Sequence, residues 1–198
     1  AYTFEVVVSN AAGAAPAATA DHWVGFDEPV AVGNPTATVK NGIVTISWTA
    51  PAEGVHQGVL GNITYDVVRK LGTETKEIVT GITETSCTDD ISDAQLSNYV
   101  YSVRAVSDGV QGSWADAPAL IAGAAIEPDW NYVFEGNSAL ALFTVIDGNN
   151  DKNTWWCNGV RGYGAMSNQQ RATIESDDWL ITPPLHMTKE RVYTVSFR

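Results

Sequence analysis

Histidine, cysteine and basic side chains are all scarce in this 198-residue chain. Two cysteines, Cys87 and Cys157, with no CxxC pair, exclude a disulfide framework. They fall in different predicted domains, so each is expected to stay unbridged and fill a core gap as a small apolar group. The three histidines, His22, His56 and His186, are scattered. No HExxH, GxSxG or Cys–His arrangement accompanies them. Cys157 has no nearby histidine to lower its pKa, so it reads as a buried thiol. On these grounds the chain is expected to carry no catalytic constellation and to be no enzyme. Eleven basic residues against 23 acidic ones leave a net charge of −12, which repels phosphate backbones and anionic lipid. The charge therefore argues against nucleic-acid and membrane-surface partners and is compatible with cation binding. No apolar run approaches the roughly 18 to 20 residues needed to span a bilayer. A helical period sustained over 11 residues or more is absent as well, and ISDAQLSN (91–98) gives one turn at most.

What the chain does have is strand grammar. IVTISWTAP (43–51) alternates Val44, Ile46 and Trp48 against Thr45, Ser47 and Thr49, then stops at a proline. TYDVVRK (64–70) puts Tyr65 and Val67 on one face. EIVTGI (77–82) follows a charged turn, GTETK, and YVYSVRAV (99–106) follows SDAQLSN. Short strands at 8- to 12-residue spacing, punctuated by Gly, Pro, Asn and Asp, predict an all-β sandwich. The opening AYTFEVVVSN nearly copies YVYSVRAVSDG at a constant offset of 97. Tyr2 falls on Tyr99, Phe4 on Tyr101, Val6 on Val103 and Val8 on Ala105. Tandem domains of about 100 residues produce such a repeat. The Ala-rich segment 9–20 then reads as a hairpin with a last edge strand, and Gly- and Pro-rich linkers fall near 26–34 and 122–128. Of the aspartate pairs, Asp89 and Asp90 are expected to follow a strand and cap a turn. Asp177 and Asp178, as strand neighbours, should face opposite sides.

The Pro-rich lead-in, VTISWTAP, YDVVRK and LSNYVYSVRAV together resemble a fibronectin type III domain, at residues 29–123. The resemblance makes Trp48 the core tryptophan of the second strand. Leu96 and Tyr99 would form the family's tyrosine corner, and Cys87 would stand where a larger inward residue is usual. By the same resemblance, residues 1–28 are the last strands of a preceding copy plus a linker, whose beginning lies outside the sequence. From Glu127 the grammar changes. FE at 134–135, DGNNDKNTWW (147–156), DDWLITPPL (177–185) and YTVSF (193–197) resemble the front half of a jelly-roll module, the choice-of-anchor J type, close to cleaved-adhesin and MAM-like sandwiches. That module would occupy 124–198 and be cut short by the end of the sequence. The expected fold is an immunoglobulin-like (fibronectin type III) sandwich in tandem with a partial jelly-roll sandwich.

Two residue sets invite chemistry. Asp147, Asn149 and Asp151 stand at i, i+2 and i+4, a spacing that lets one tight loop aim three oxygens at a hard cation such as Ca²⁺. Lys152 sits where an EF-hand needs glycine, and an ordinary Asx-rich turn fits the same residues. The jelly-roll resemblance implies a structural Ca²⁺ site here, with Glu135, Asp177 and Asp178 as further ligands. Trp155, Trp156, Trp179, Tyr163 and Arg161 raise sugar stacking. Of these, Trp156, Tyr163 and Arg161 are the candidate ligand contacts, and Trp179, flanked by Leu180 and Ile181, is expected in the core. The resemblances imply non-catalytic adhesion or spacer modules of a larger exported bacterial protein, extracellular or at the cell surface, meeting a glycan or protein ligand and neighbouring domains of the same polypeptide. The alternative is an accessory, substrate-targeting region of a secreted peptidase or glycoside hydrolase.

Overall fold

The computed structural model describes residues 1–134, 140–152, 154–157 and 177–196, and every regular element among them is a β-strand. The chain divides into two compact units. One comprises Ala1–Thr38, Thr45–Asp89 and Val100–Ala119, the other Val39–Val44, Asp90–Tyr99 and Leu120–Arg198.

The first unit opens with two nested hairpins. β1 (Tyr2–Val6) pairs antiparallel with β4 (Ala18–His22), and β2 (Ser9–Asn10) pairs with β3 (Gly13–Ala14). Two larger sheets follow. β5 (Gly33–Lys40), β6 (Ile43–Thr49) and β9 (Ser86–Asp90) form one, in the order β5-β6-β9. In the other, β7 (Ile63–Leu71) lies between β8 (Glu74–Ile82) and β10 (Ser97–Ser107). β10 also pairs with β11 (Val110–Gln111) and β12 (Ala115–Asp116). The period of two decides which residues go inside. Ile46 and Trp48 from β6, Tyr65 and Val67 from β7, and Tyr101, Val103 and Ala105 from β10 are buried. Full burial of each Ile or Val stabilises by roughly 1.5–3 kcal/mol.

Contacts across the gap show that the two sheets face each other. The Trp48 ring meets Tyr65 edge-on at 5.2 Å. Asp89 on β9 takes Arg69 Nη1 of β7 at 2.6 Å and the Tyr101 hydroxyl of β10 at 2.9 Å. Removing one partner of such a buried pair leaves an uncompensated charge, at a cost of about 3–5 kcal/mol. Asp89 is thus an interior strand residue where a turn cap was expected. Only Asp90 caps, its Oδ1 accepting Ser92 N and Oγ. β8 begins at Glu74, inside the segment expected as a turn, because Gly72 at φ 57° lets the chain reverse earlier.

Asp108 and Gly109 both have positive φ between β10 and β11, the left-handed pair that a two-residue hairpin loop needs. In the second unit Asn41 and Gly42 repeat that conformation. Also there, ISDAQLSN forms a hydrogen-bonded turn, Ala94 N to Ile91 O, and the Tyr99 hydroxyl donates to Gln95 O at 2.6 Å. This is the expected tyrosine corner. β13 (Leu120–Ala122) pairs with the start of β10, setting Leu120 opposite Tyr99. Farther on, Trp130, Tyr132, Phe134 and Phe143 cluster with ring centroids 5.1 to 6.1 Å apart. β14 (Thr144–Asp147) pairs antiparallel with β15 (Asp178–Ile181). Tyr99→Phe keeps the buried ring and removes the hydroxyl's bond to Gln95 O. It should lower unfolding free energy by about 1 kcal/mol in urea titration without changing the slope.

Candidate functional site

The Asp-rich loop leaves β14 at Asp147, which lies opposite Asp178 in the β14–β15 ladder. Directly paired residues of an antiparallel ladder project to the same face, so both carboxylates share one side. Asp147, Asn149 and Asp151 come together as the spacing predicts, and they close largely on their own backbone. Asp151 N donates to Asp147 Oδ1 and Asn149 Oδ1, each at 3.2 Å, and Lys152 N donates to Asp147 Oδ2 at 2.9 Å. Lys152 takes φ 66°, the left-handed conformation a glycine would adopt more easily. Both features belong to the Asx-turn reading.

Other oxygens of the neighbourhood lack such partners. Among the described residues, Asp178 Oδ1 and Thr154 Oγ1 are buried with no hydrogen-bond partner. Asp177 is engaged elsewhere: its Oδ1 accepts the Trp179 indole N–H at 2.9 Å, and its carbonyl accepts Gly148 N at 2.7 Å. Among the described residues no three His, Cys, Asp or Glu side chains converge closely enough to hold a metal ion. Glu135 lies outside the described residues.

Of the candidate ligand contacts, Trp156 is 45% exposed, whereas Tyr163 and Arg161 lie outside the described residues. Trp155 is half-buried, its indole donating to Asp178 O at 3.3 Å. Trp179, expected in the core, is exposed. β15 alternates so that Asp178 and Leu180 turn inward and Trp179 and Ile181 outward, and the apolar flanks were no guide to that choice. Both thiols are free. Burial, aided by the charge of Asp89, pushes Cys87 up to about 11, which makes it a poor nucleophile.

A constellation that sequence reasoning missed lies in the first unit. Asp27, fully buried in the expected linker, gathers the loop at 54–58 around its carboxylate. Oδ2 accepts His56 N at 2.8 Å and Gly58 N at 2.9 Å. Oδ1 accepts Glu28 N and contacts His56 Nδ1, both at 2.8 Å. Trp23 stacks on the His56 ring at 4.1 Å, nearly parallel. A Cβ on Gly54 would collide with the carboxylate, and one on Gly58 would collide with Trp23. The two glycines bracketing His56 were the available signal, yet nothing in the sequence pointed from them to Asp27. Burial alone would raise the Asp27 pKa. Hydrogen bonds from the His56 ring and from the amides of Gly58, His56 and Glu28 outweigh that and hold it at about 2, against the ordinary 3.8. A depressed carboxylate stabilises the fold above its unfolded pKa, and that contribution disappears as pH falls from about 4 to about 2. The melting-temperature gap between wild type and Asp27→Asn should therefore be widest above pH 5 and narrow toward pH 2, by calorimetry. A gap independent of pH would refute this origin.

No protein-family model and no curated protein sequence matches the chain. Among the solved structures similar to parts of it, two are named as fibronectin type III or Fn3-like. An Fn3-like protein from Clostridium thermocellum is 28% identical, covering 46% of this chain and 93% of its own, with a TM-score of 0.35. Domains A168–A170 of titin are 17% identical, covering 61% of this chain and 40% of theirs, at 0.40. The sixth fibronectin type III domain of human fibronectin type III domain containing protein 3 is 14% identical, covering 55% and 98%, at 0.43. All three overlaps are partial, so the assignment as an all-β sandwich rests on the chain's own sheets and buried rows.

Proposed function

We propose that the chain is a run of non-catalytic β-sandwich modules of a larger exported bacterial protein, acting at the cell surface or beyond it as a stiff spacer that presents contact surfaces to a glycan or protein ligand. The observation that carries this reading is the Asp27 clamp. It sits between the hairpins at 1–22 and the strands that begin at Gly33, where a Gly- and Pro-containing stretch would otherwise swivel. A buried carboxylate holding three backbone amides and a stacked histidine converts that hinge into a fixed joint. Stiffness at a joint is useful to a spacer. The exposed Trp156 indole is the proposed ligand contact, since a flat aromatic face stacks on sugar rings or protein side chains. In ¹⁵N relaxation, amides of 2–22 should tumble with those of 33–107 in the wild type. Asp27→Ala should drop their order parameters from about 0.85 toward 0.6 or below. Equal values in both proteins would end the spacer reading.

The segment 124–198 is proposed as a jelly-roll module of the choice-of-anchor J or MAM-like kind, stiffened by Ca²⁺. Asp147, Asn149 and Asp151 would hold the ion. Asp178 Oδ1 and Thr154 Oγ1 fit the proposal, because a hard cation takes buried oxygens that have no other partner. Asp147 keeps acceptor capacity beyond its two amide bonds, because each carboxylate oxygen carries two lone pairs. Asp177, committed to Trp179, contributes least. At free Ca²⁺ 100-fold above Kd the ion would add about 2.7 kcal/mol, so EDTA should lower the melting temperature of this segment. Asp147→Asn with Asp151→Asn should reproduce the loss and abolish the EDTA effect. A melting curve indifferent to both refutes the site.

A further inference from the structure

Over residues 5–19 the hairpins at the front of the chain repeat the pairing of β10 with β11 and β12, beyond the similarity of sequence. Shifted by 97, the pairs Glu5↔Thr19 and Val6↔Ala18 become Ser102↔Asp116 and Val103↔Ala115, the β10–β12 register. The pairs Ser9↔Ala14 and Asn10↔Gly13 become Val106↔Gln111 and Ser107↔Val110, the β10–β11 register. Even the isolated bond between the two ladders recurs: Ala15 N to Val8 O at 2.8 Å, against Gly112 N to Ala105 O at 2.9 Å.

The surroundings of the two copies are opposite. Tyr99, Tyr101, Val103 and Ala105 are at most 3% exposed, whereas Tyr2, Phe4, Val6 and Val8 are 52 to 70% exposed. In the second copy, β10 is joined along one edge by β7 over eight paired residues, and Tyr101 reaches Asp89 of β9. Among the described residues, β1 is paired with β4 alone. An apolar row in the same backbone geometry, bare in one case and covered in the other, identifies its own missing cover.

We propose that the Tyr2–Phe4–Val6–Val8 face is the acceptor for a set of strands of the β5–β9 kind, supplied on the same polypeptide. Its β7-like member would pair along the free edge of β1, and its β6-like member would lay inward apolar residues on the exposed row. The same-chain source follows from element order: in the covered copy β9 leads into β10 through the short connection 91–96, so the cover is the segment that feeds the acceptor strand. Two positions of the acceptor differ in ways the cover must answer. Val7 stands where Arg104 bonds buried Asp66, and Val8 is larger than Ala105. The complement therefore carries an apolar or neutral residue in place of Asp66 and a smaller one facing Val8. This inference rests on the reading of the chain as modules in series but fails separately from it, because the relaxation experiment probes the joint at Asp27 and this one probes the β1 face.

The test places residues 30–97 of this chain directly ahead of Ala1 of the full 198-residue chain, so that the added strands meet Tyr2 as they meet Tyr99. A second version carries Val7→Arg and Val8→Ala, restoring the residues found at 104 and 105. Hydrogen exchange of the peptides covering 2–8 is read by mass spectrometry, with sedimentation of the unextended chain alongside. Exchange slowed roughly 100-fold or more in either extended protein supports the proposal. If only the restored version slows, the stated differences in the natural cover are supported too. Unchanged exchange in both versions overturns it. So does a dimer of the unextended chain that Phe4→Ser dissolves, since the cover would then be a second copy of the same hairpin.

Discussion

Strand β10 is the constraint on which the sandwich depends. Its outward edges carry ladders to β7 on one side and to β11, β12 and β13 on the other, so nearly every backbone group along it has a partner. Its inward row supplies Tyr101 to the Asp89–Arg69 pair and Val103 and Ala105 to the core. Removing the row would leave Asp89 and Arg69 with less to shield them from water and would strip the inward face of the β5–β6–β9 sheet of part of its cover. The buried ion pair in turn contributes more to choosing a structure than to its net stability. Two charges taken out of water recover little more than their desolvation cost, yet they tolerate only the register that brings them together. Sliding β9 by one residue would turn Asp89 outward and away from Arg69.

How much of this was legible follows from which forces leave a periodic trace. Apolar alternation does, and it located β6, β7 and β10 with their inward residues. The resemblance carried by Leu96 and Tyr99 located the corner, and that motif is local, four residues from donor to acceptor. Contacts between polar residues distant in sequence leave no such trace. Asp27 and His56 are 29 residues apart, Arg69 and Asp89 are 20, and no periodicity connects either pair. In sequence Asp89 reads as a turn cap because aspartate suits a turn, and only the partners on the facing sheet make a strand interior acceptable to it. Trp179 shows the converse error. Hydrophobic flanks predict burial only where something lies on that face, and in β15 the tryptophan occupies the outward phase of the alternation.

The shortage of basic residues acquires a sharper meaning once the pairs are known. Of the 11 lysines and arginines, Arg69, Lys70 and Arg104 are already committed to Asp89, Asp116 and Asp66 within one sandwich. Lys70 pairs with Asp116 near the surface, where such a pair contributes little to stability but neutralises local charge. What remains unneutralised is predominantly carboxylate. Modules of like charge repel over about 10 Å at 0.1 M salt, so in a series of such modules neighbours disfavour folding back onto one another. Repulsion alone sets no angle at a junction. A fixed joint of the kind proposed at Asp27 would, because the hydrogen bonds to its buried carboxylate are directional. In the proposed spacer, charge would keep modules apart and the clamp would define their orientation, and the two effects would respond differently to salt: the first fades as ionic strength rises, while the second persists.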